Sequence, residues 1–286
     1  MKRLSYLIFG IGMMLSSVAK GQQWEVGING GATGFMGDVN PDNPFYLKNA
    51  GGGFFLKRNF NSTWGVQLAY NYLQLYGNDS DDKDPYRNSR GHLFYNKVHE
   101  LALRGDFNFF RYIPDKELNR YTPYLFGGLG VMKHNPYVNI KDGGKYNLAD
   151  LQLQDDNSIK KIAPFVLVGT GFKYNIKGAW TIGAEVGYRT AFNNDIDNIS
   201  NKYPQYSAID AVRLPEEFRT VVASGDPALP SEYEPNGLWL NLAYPNGDYS
   251  TYQGKAKRHG RKRDGYMTVG FTLSFTFLDK RCYWWL

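Results

Sequence analysis

Hydrophobic and polar residues alternate with a period of two over eight stretches of this chain. At 99–109, HELALRGDFNF, the side with His99, Leu101, Leu103 and Phe107 opposes the side with Glu100, Arg104, Asp106 and Asn108. Such a period is that of a strand with one apolar and one polar face. The clearest stretch is TWGVQLAYNYLQL (63–75), where Trp64, Val66, Leu68, Tyr70 and Tyr72 oppose Gly65, Gln67, Ala69 and Asn71. The same pattern runs through AWTIGAEVGYRTAF (179–192) and GYMTVGFTLSFTF (265–277). Shorter or less regular versions lie at 24–31, 50–58, 122–132 and 163–175, and the 99–109 stretch extends over 97–110. Most runs are longer than the five or six residues usual in soluble domains, and suit the roughly nine to eleven of a tilted membrane strand.

The connections alternate in length. NFNS, YIPDKELNRY and IKG are short, whereas 32–49, 77–96, 133–162 and 193–264 are long. In an up-and-down barrel alternate connections share a rim, and outer-membrane barrels carry short periplasmic turns and long outer loops. The fold expected is all-β, an eight-stranded antiparallel up-and-down transmembrane β-barrel with long extracellular loops. Trp24, Trp64 and Trp180 each open an outward-running strand, and Trp284 and Trp285 follow the last strand. All five therefore belong to a periplasmic aromatic belt, where indole rings favour the membrane boundary. Phe94, Tyr95, Tyr72, Tyr76, Phe192 and Tyr266 are expected in the opposite belt.

Turning the apolar face to lipid sends the other face inward. Glu100, Arg104, Asp106, Glu185 and Arg189 form the expected barrel-interior charge network, with Gln67 and Asn108 as further partners. Eight strands enclose just enough room for side chains, and buried charges are tolerable only when paired. Inward glycines, Gly65, Gly128, Gly130, Gly183 and Gly187, make space for long side chains. This network reads more readily as a structural plug than as an ion path.

Composition agrees: 32 Gly and 22 Tyr with 16% aromatic residues is a strand-rich inventory. The net charge of +6 is local. Lys255, Lys257, Arg258, Arg261, Lys262 and Arg263 form one outer basic cluster, placed to meet lipopolysaccharide phosphates. Nucleic acid is not an expected partner in that compartment. Residues 1–21 read as a secretory signal peptide: Lys2 and Arg3, an apolar run, then Ala19-Lys20-Gly21. Residues 22–286 follow as a single outer-membrane barrel domain. Cys282 is the one cysteine, which excludes an internal disulfide and a CxxC metal site.

Catalytic signatures are weak. The four histidines, His92, His99, His134 and His259, fall in loops or on an outward strand face, and no GxSxG or HExxH occurs. They are expected at the surface, and no catalytic residue, cofactor or metal is assigned. Asp38, Asp42 and the DSDDKD run at 79–84 could offer carboxylates to Ca²⁺ but are acidic clusters of the sort that usually stays solvated, and the D-x-D at Asp195 and Asp197, beside Asn193, Asn194 and Asn198, is the better candidate of the two.

Several segments resemble a known family. RGHLFYNKVHELALRGDFNFF (90–110), TPYLFGGLGV (122–131), EVGINGGATGFMGDVNP (25–41) and EVGYRTAFNNDIDNIS (185–200) are similar to PorG-type outer-membrane barrels of Bacteroidetes, associated with the type IX secretion system. The most specific part is Arg90, Phe94, Asn96 and Glu100 followed by Phe107–Phe110. T-x-G-x-x-L-x-F at 268–275 resembles the signal read by the barrel assembly machinery, which would insert the chain. The resemblance implies a non-enzymatic component of a secretion apparatus that contacts periplasmic ring proteins through 112–121 and the tail DKRCYWWL. A general small barrel, acting in adhesion or recognition through its outer loops, is the alternative.

Overall fold

The computed structural model describes residues 23–43, 45–115, 119–140, 144–154, 160–199, 202–222, 232–245, 249–257 and 263–278. The expected signal peptide, Trp284, Trp285, His259, Arg258, Arg261 and Lys262 lie outside these residues. Twelve strands are described: β1 (Gln23–Met36), β2 (Asn49–Asn59), β3 (Trp64–Asn78), β4 (Leu93–Asn108), β5 (Tyr121–Lys133), β6 (Pro136–Ile140), β7 (Gly144–Asn147), β8 (Ile162–Lys177), β9 (Trp180–Ala191), β10 (Arg219–Val222), β11 (Glu232–Pro235) and β12 (Gly265–Thr276). Three short helices join them: α1 (Pro85–Arg90), α2 (Gly237–Ala243) and α3 (Tyr249–Tyr252).

Eight strands close a barrel in the order β1-β2-β3-β4-β5-β8-β9-β12, with every neighbour antiparallel and β12 returning to β1. This is the up-and-down architecture expected from the alternation. The wall leaves no free edge along its membrane-facing height, so its backbone groups need no water. No helix among the described residues is long and apolar enough to cross a membrane.

The apolar residues do face outward. Ile28, Phe54, Leu103, Leu129, Val168 and Phe271 are exposed on the outer wall, Leu129 at 64% and Phe271 at 68%. Large side chains so open to the outside do not meet across a dry sandwich core; lipid is the solvent that suits them.

Two tight turns shape one rim. At 60–63, Asn61 Oδ1 accepts from the amides of Thr63 (2.8 Å) and Trp64 (2.7 Å). At β8–β9, Gly178 adopts φ 55°, a left-handed conformation that favours glycine. Trp24, Trp64 and Trp180 ring this rim and are exposed. Trp64 lies opposite Phe107, Trp180 opposite Phe275, and Phe277 N donates to Trp24 O at 2.8 Å.

The far belt differs from expectation. Tyr72, Tyr76, Tyr95 and Phe192 face outward, but Phe94 and Tyr266 are fully buried. Strand parity is the reason: Tyr95 and Met267 take the outward positions, so their neighbours turn in. Phe94 packs edge-on against Phe35 at 4.9 Å, and Tyr266 reaches into the lumen.

Candidate functional site

Inward positions of all eight barrel strands supply polar side chains to the lumen. All five sequence-expected charges are there, in two groups. In the outer group, Glu100 accepts from Asn71 Nδ2 (2.6 Å), Arg189 Nη2 (3.1 Å) and the Tyr266 hydroxyl (2.7 Å). In the inner group, Arg104 grips Glu185 through two bonds of 2.6 and 3.0 Å, reaches Gln67 at 3.1 Å, and sits 3.2 Å from Asp106. Tyr124 donates to Glu185.

Three interior charges were not expected. Lys57 pairs with Asp106; Lys173 lies 3.7 Å from Asp106 and donates to Asn108 at 3.0 Å; Glu25 accepts from Asn59 at 2.9 Å. The signal was available, because each neighbours an outward residue: Leu56, Phe172 and Trp24. With them the described lumen holds four carboxylates, Glu25, Glu100, Asp106 and Glu185, against Lys57, Arg104, Lys173 and Arg189. The balanced set neutralises itself, which is the condition for burying ions at tolerable cost.

Glycine makes this packing possible. A Cβ on Gly171 would lie 2.6 Å from the Tyr124 ring, and one on Gly169 would lie 2.2 Å from Phe126. Those rings in turn carry the cations, Lys173 Nζ 4.0 Å from the Tyr124 centroid and the Arg104 guanidinium 4.1 Å from that of Phe126. Gly187 similarly leaves room for Arg189, whose Nη1 would be 3.0 Å from a Cβ there. A narrow cavity of about 50 Å³ remains between the two ion pairs and the Gly31–Gly51–Gly270 wall. That is room for a few waters at most.

Both mouths are covered. At the turn rim Tyr112 folds under the barrel, its hydroxyl 2.5 Å from Thr181 Oγ1 and its amide donating to Ser62 O at 3.1 Å. At the other rim the long connections fold into a cap. Its core joins Leu148, Leu151, Ile196, Phe218, Trp239 and Tyr244 to the barrel residues Phe35, Phe94, Val98 and Phe165. Trp239 Nε1 donates to Leu151 O at 2.7 Å.

Arg90 knots three loops. Its guanidinium donates to both Asp79 oxygens (2.6 and 2.8 Å), to Asp38 Oδ2 (3.4 Å) and to Lys257 O (3.1 Å). Helix α1 aims it: Asp84 caps the N-terminus by accepting from Tyr86 N at 2.8 Å, and Gly91 ends the helix at φ 62°. Arg87, one turn earlier, pairs with Asp82 (2.7 Å), Asp84 (3.2 Å) and Asp42 (3.7 Å). The acidic runs are therefore not simply solvated; two arginines bind them. Asp195 accepts from Lys160 N at 3.1 Å and Asp197 from Ile199 N at 2.9 Å, so this pair shapes the loop. No metal-ligating cluster occurs among the described residues.

The basic cluster is also redistributed. Lys257 is buried and donates to Leu153 O at 3.3 Å, its amine lowered to about 8 by burial and then by Arg90. It is thus not available to a surface phosphate. Lys255 and Arg263 remain exposed, over Tyr252 and Phe192 at 6.0 and 5.7 Å. Two histidines expected at the surface are buried in the cap. Burial, reinforced by Lys257 and Arg90, holds His92 well below its ordinary pKa, and burial lowers His134 to about 4. His92 Nε2–H donates to Asp197 O at 2.7 Å. His99 stands outside on β4, 2.8 Å from the Tyr70 hydroxyl. None of these three is near a nucleophile–carboxylate pair of the catalytic kind.

The sequence pattern defining a family described as "Domain of unknown function (DUF6089)" matches residues 2–218, about three quarters of the chain. The chain belongs to this family. No functionally curated protein matches it in sequence. Among solved structures, a major outer membrane protein from Thermus thermophilus is 9% identical, with 90% of this chain and 100% of that one covered and a TM-score of 0.41. OprG from Pseudomonas aeruginosa is 10% identical, covering 91% and 98%, with a TM-score of 0.39. The N-terminal β-barrel domain of Pseudomonas aeruginosa OprF is 11% identical, covering 90% and 100%, with a TM-score of 0.36.

Proposed function

We propose that this protein is a non-enzymatic, non-conducting anchor in the bacterial outer membrane, presenting a folded platform outside and a small contact rim on the periplasmic side. The observation that carries the reading is a closed barrel, apolar outside, whose charge-filled lumen is covered at both mouths. Such a body holds its place in lipid and leaves binding to its rims. The lumen offers neither a wide water path nor a catalytic constellation, so its charges serve cohesion.

Of the tasks open to such an anchor, we infer attachment to a periplasmic secretion ring of the type IX kind. The PorG-like segments support this, and the rim at 109–121 is a fitting contact, since Phe109, Phe110 and Tyr121 are exposed there. Deletion of the gene should stop export of proteins carrying type IX signals. The tagged barrel should also capture periplasmic ring proteins, and should lose them when 112–121 are replaced by a Gly/Ser segment of equal length. Normal export by the deletion strain would end the secretion reading. The outer cap favours the second role, recognition at the cell surface, through the β10–β11 ribbon with its exposed Val221 and Tyr233. Normal export with lost surface attachment would select that role.

A further inference from the structure

Four tyrosine rings line up around one side of the outer wall. Tyr46, just before β2, stacks on Tyr76 at 6.4 Å between centroids; Tyr76 meets Tyr95 at 5.2 Å, and Tyr95 stacks on Tyr137 at 5.6 Å. A lysine closes each end. Lys48 Nζ is 5.2 Å from the centre of the Tyr46 ring, and Lys145 Nζ is 3.7 Å from that of Tyr137. Just below the row, strand register sets Lys97 beside Gln74, and His99 between Tyr72 and Lys133.

Lys48, Lys97, Lys133 and Lys145 are exposed, and none pairs with a carboxylate among the described residues. Burial and then the charge of Lys97 lower the Lys145 amine, so these two cations feel each other. At the outer ends of β8 and β9 the outward strand positions are apolar, Ile162 and Phe192, with Arg263 lying over the Phe192 ring.

Height identifies what faces this row. Within β4, Phe107 belongs to the turn-rim aromatic belt, and Lys97 lies ten residues further on. Strand rise of ~3.4 Å per residue at a tilt of about 40° lifts Lys97 roughly 26 Å, against an apolar band of about 25 Å. The lysines stand where acyl chains end and head groups begin. Below them, Leu101, Leu103, Leu129 and Val131 are exposed.

We propose that this tyrosine–lysine ledge is a docking site for a phosphorylated glycolipid of the outer leaflet. The ammonium groups take the phosphates in charge-assisted hydrogen bonds. The faces of the tyrosines and the hydroxyls of Tyr76, Tyr95 and Tyr137 meet the sugar at the boundary, where such amphipathic rings are at ease, whereas the Tyr46 hydroxyl donates to Asp81; the acyl chains run down the leucines. An anion there also relieves the repulsion among cations that have no described carboxylate partner. This inference rests on the membrane reading above.

The test uses the full chain refolded in detergent micelles, with heat-modifiable gel mobility recorded first. Native mass spectrometry then titrates bis-phosphorylated lipid A, its dephosphorylated form and phosphatidylglycerol against wild type, the triple variant K97Q/K133Q/K145Q, the single reversal K97E and the control K83Q/R213Q, which removes two exposed cations of the cap. Wild type and control should prefer bis-phosphorylated lipid A. The triple variant should lose roughly tenfold or more in affinity, as expected for three cations at an anionic surface, and K97E should weaken binding by itself. Equal binding by wild type, the triple variant and K97E, all heat-modifiable, overturns the ledge while leaving the barrel standing. So does equal affinity of wild type for the dephosphorylated form or for phosphatidylglycerol. A wild-type chain without heat-modifiable mobility overturns the membrane reading and the ledge with it.

Discussion

Asp106 faces three cations, Lys57, Lys173 and Arg104, in a space closed to solvent. Removing one partner of a buried ion pair strands the other, whereas removing both at similar volume is far milder. Asp106→Ala should therefore destabilise the refolded barrel by about 3–5 kcal/mol, read as a lower urea midpoint. The pair K57M/D106L, which keeps the interior charges balanced, should recover part of that loss; similar midpoints for the two variants would refute the neutral-plug account. Neighbouring glycines offer a second contrast. A Cβ on Gly31 would lie 2.2 Å from the Val269 carbonyl oxygen, whereas on Gly30 the nearest atom is 3.8 Å away. Gly31→Ala should cost about 1–3 kcal/mol by overpacking against backbone. Gly30→Ala, in the adjacent outward position, should be close to neutral in the same titration. Strand parity makes both assignments readable in the sequence, and the same parity would have added Lys57, Lys173 and Glu25 to the expected network.

Among elements, the barrel strands and the cap loops depend on different forces. The strands are held by ladders that register fixes pair by pair. The cap is held by a few long-range polar contacts over an apolar floor, such as Asn96 Nδ2 to Ile196 O at 2.8 Å. Its weak point is acid. His92 and His134 are buried neutral, with pKa values below that of an unfolded histidine. A base depressed in the folded state contributes stability above its unfolded pKa and loses it as pH falls toward the folded value. The cap should thus loosen from about pH 6.5 downward, with His134 contributing until about 4. Limited proteolysis at pH 7.5 and 5 should find the outer loops cut faster in acid, and H92Q/H134N should flatten that difference. A cap equally protected at both pH values would contradict this.

At the scale of the molecule, the filled lumen and covered mouths belong to the proposed non-conducting anchor. Reconstituted into planar bilayers, the protein should produce no step conductance. Brominated lipids should quench Trp24, Trp64 and Trp180 with the depth profile of the interface, while Trp239, fully buried in the cap, stays bright. Discrete channels, or uniform quenching of all four indoles, would mean that the cap or the membrane level is misassigned.

Alternation and connection lengths by themselves determined the barrel, its strand count, its lipid face and most of its inner charges. Each follows from local chemistry, since a side chain's face depends only on its place in a two-residue repeat. The cap was decided by tertiary structure alone. Contacts such as Lys257 to Leu153 and His92 to Asp197 join residues about a hundred apart in sequence, and loops carry no period to announce them. The tyrosine–lysine ledge shares that origin: its members come from separate strands and turns, and only closure of the wall brings their rings and charges side by side.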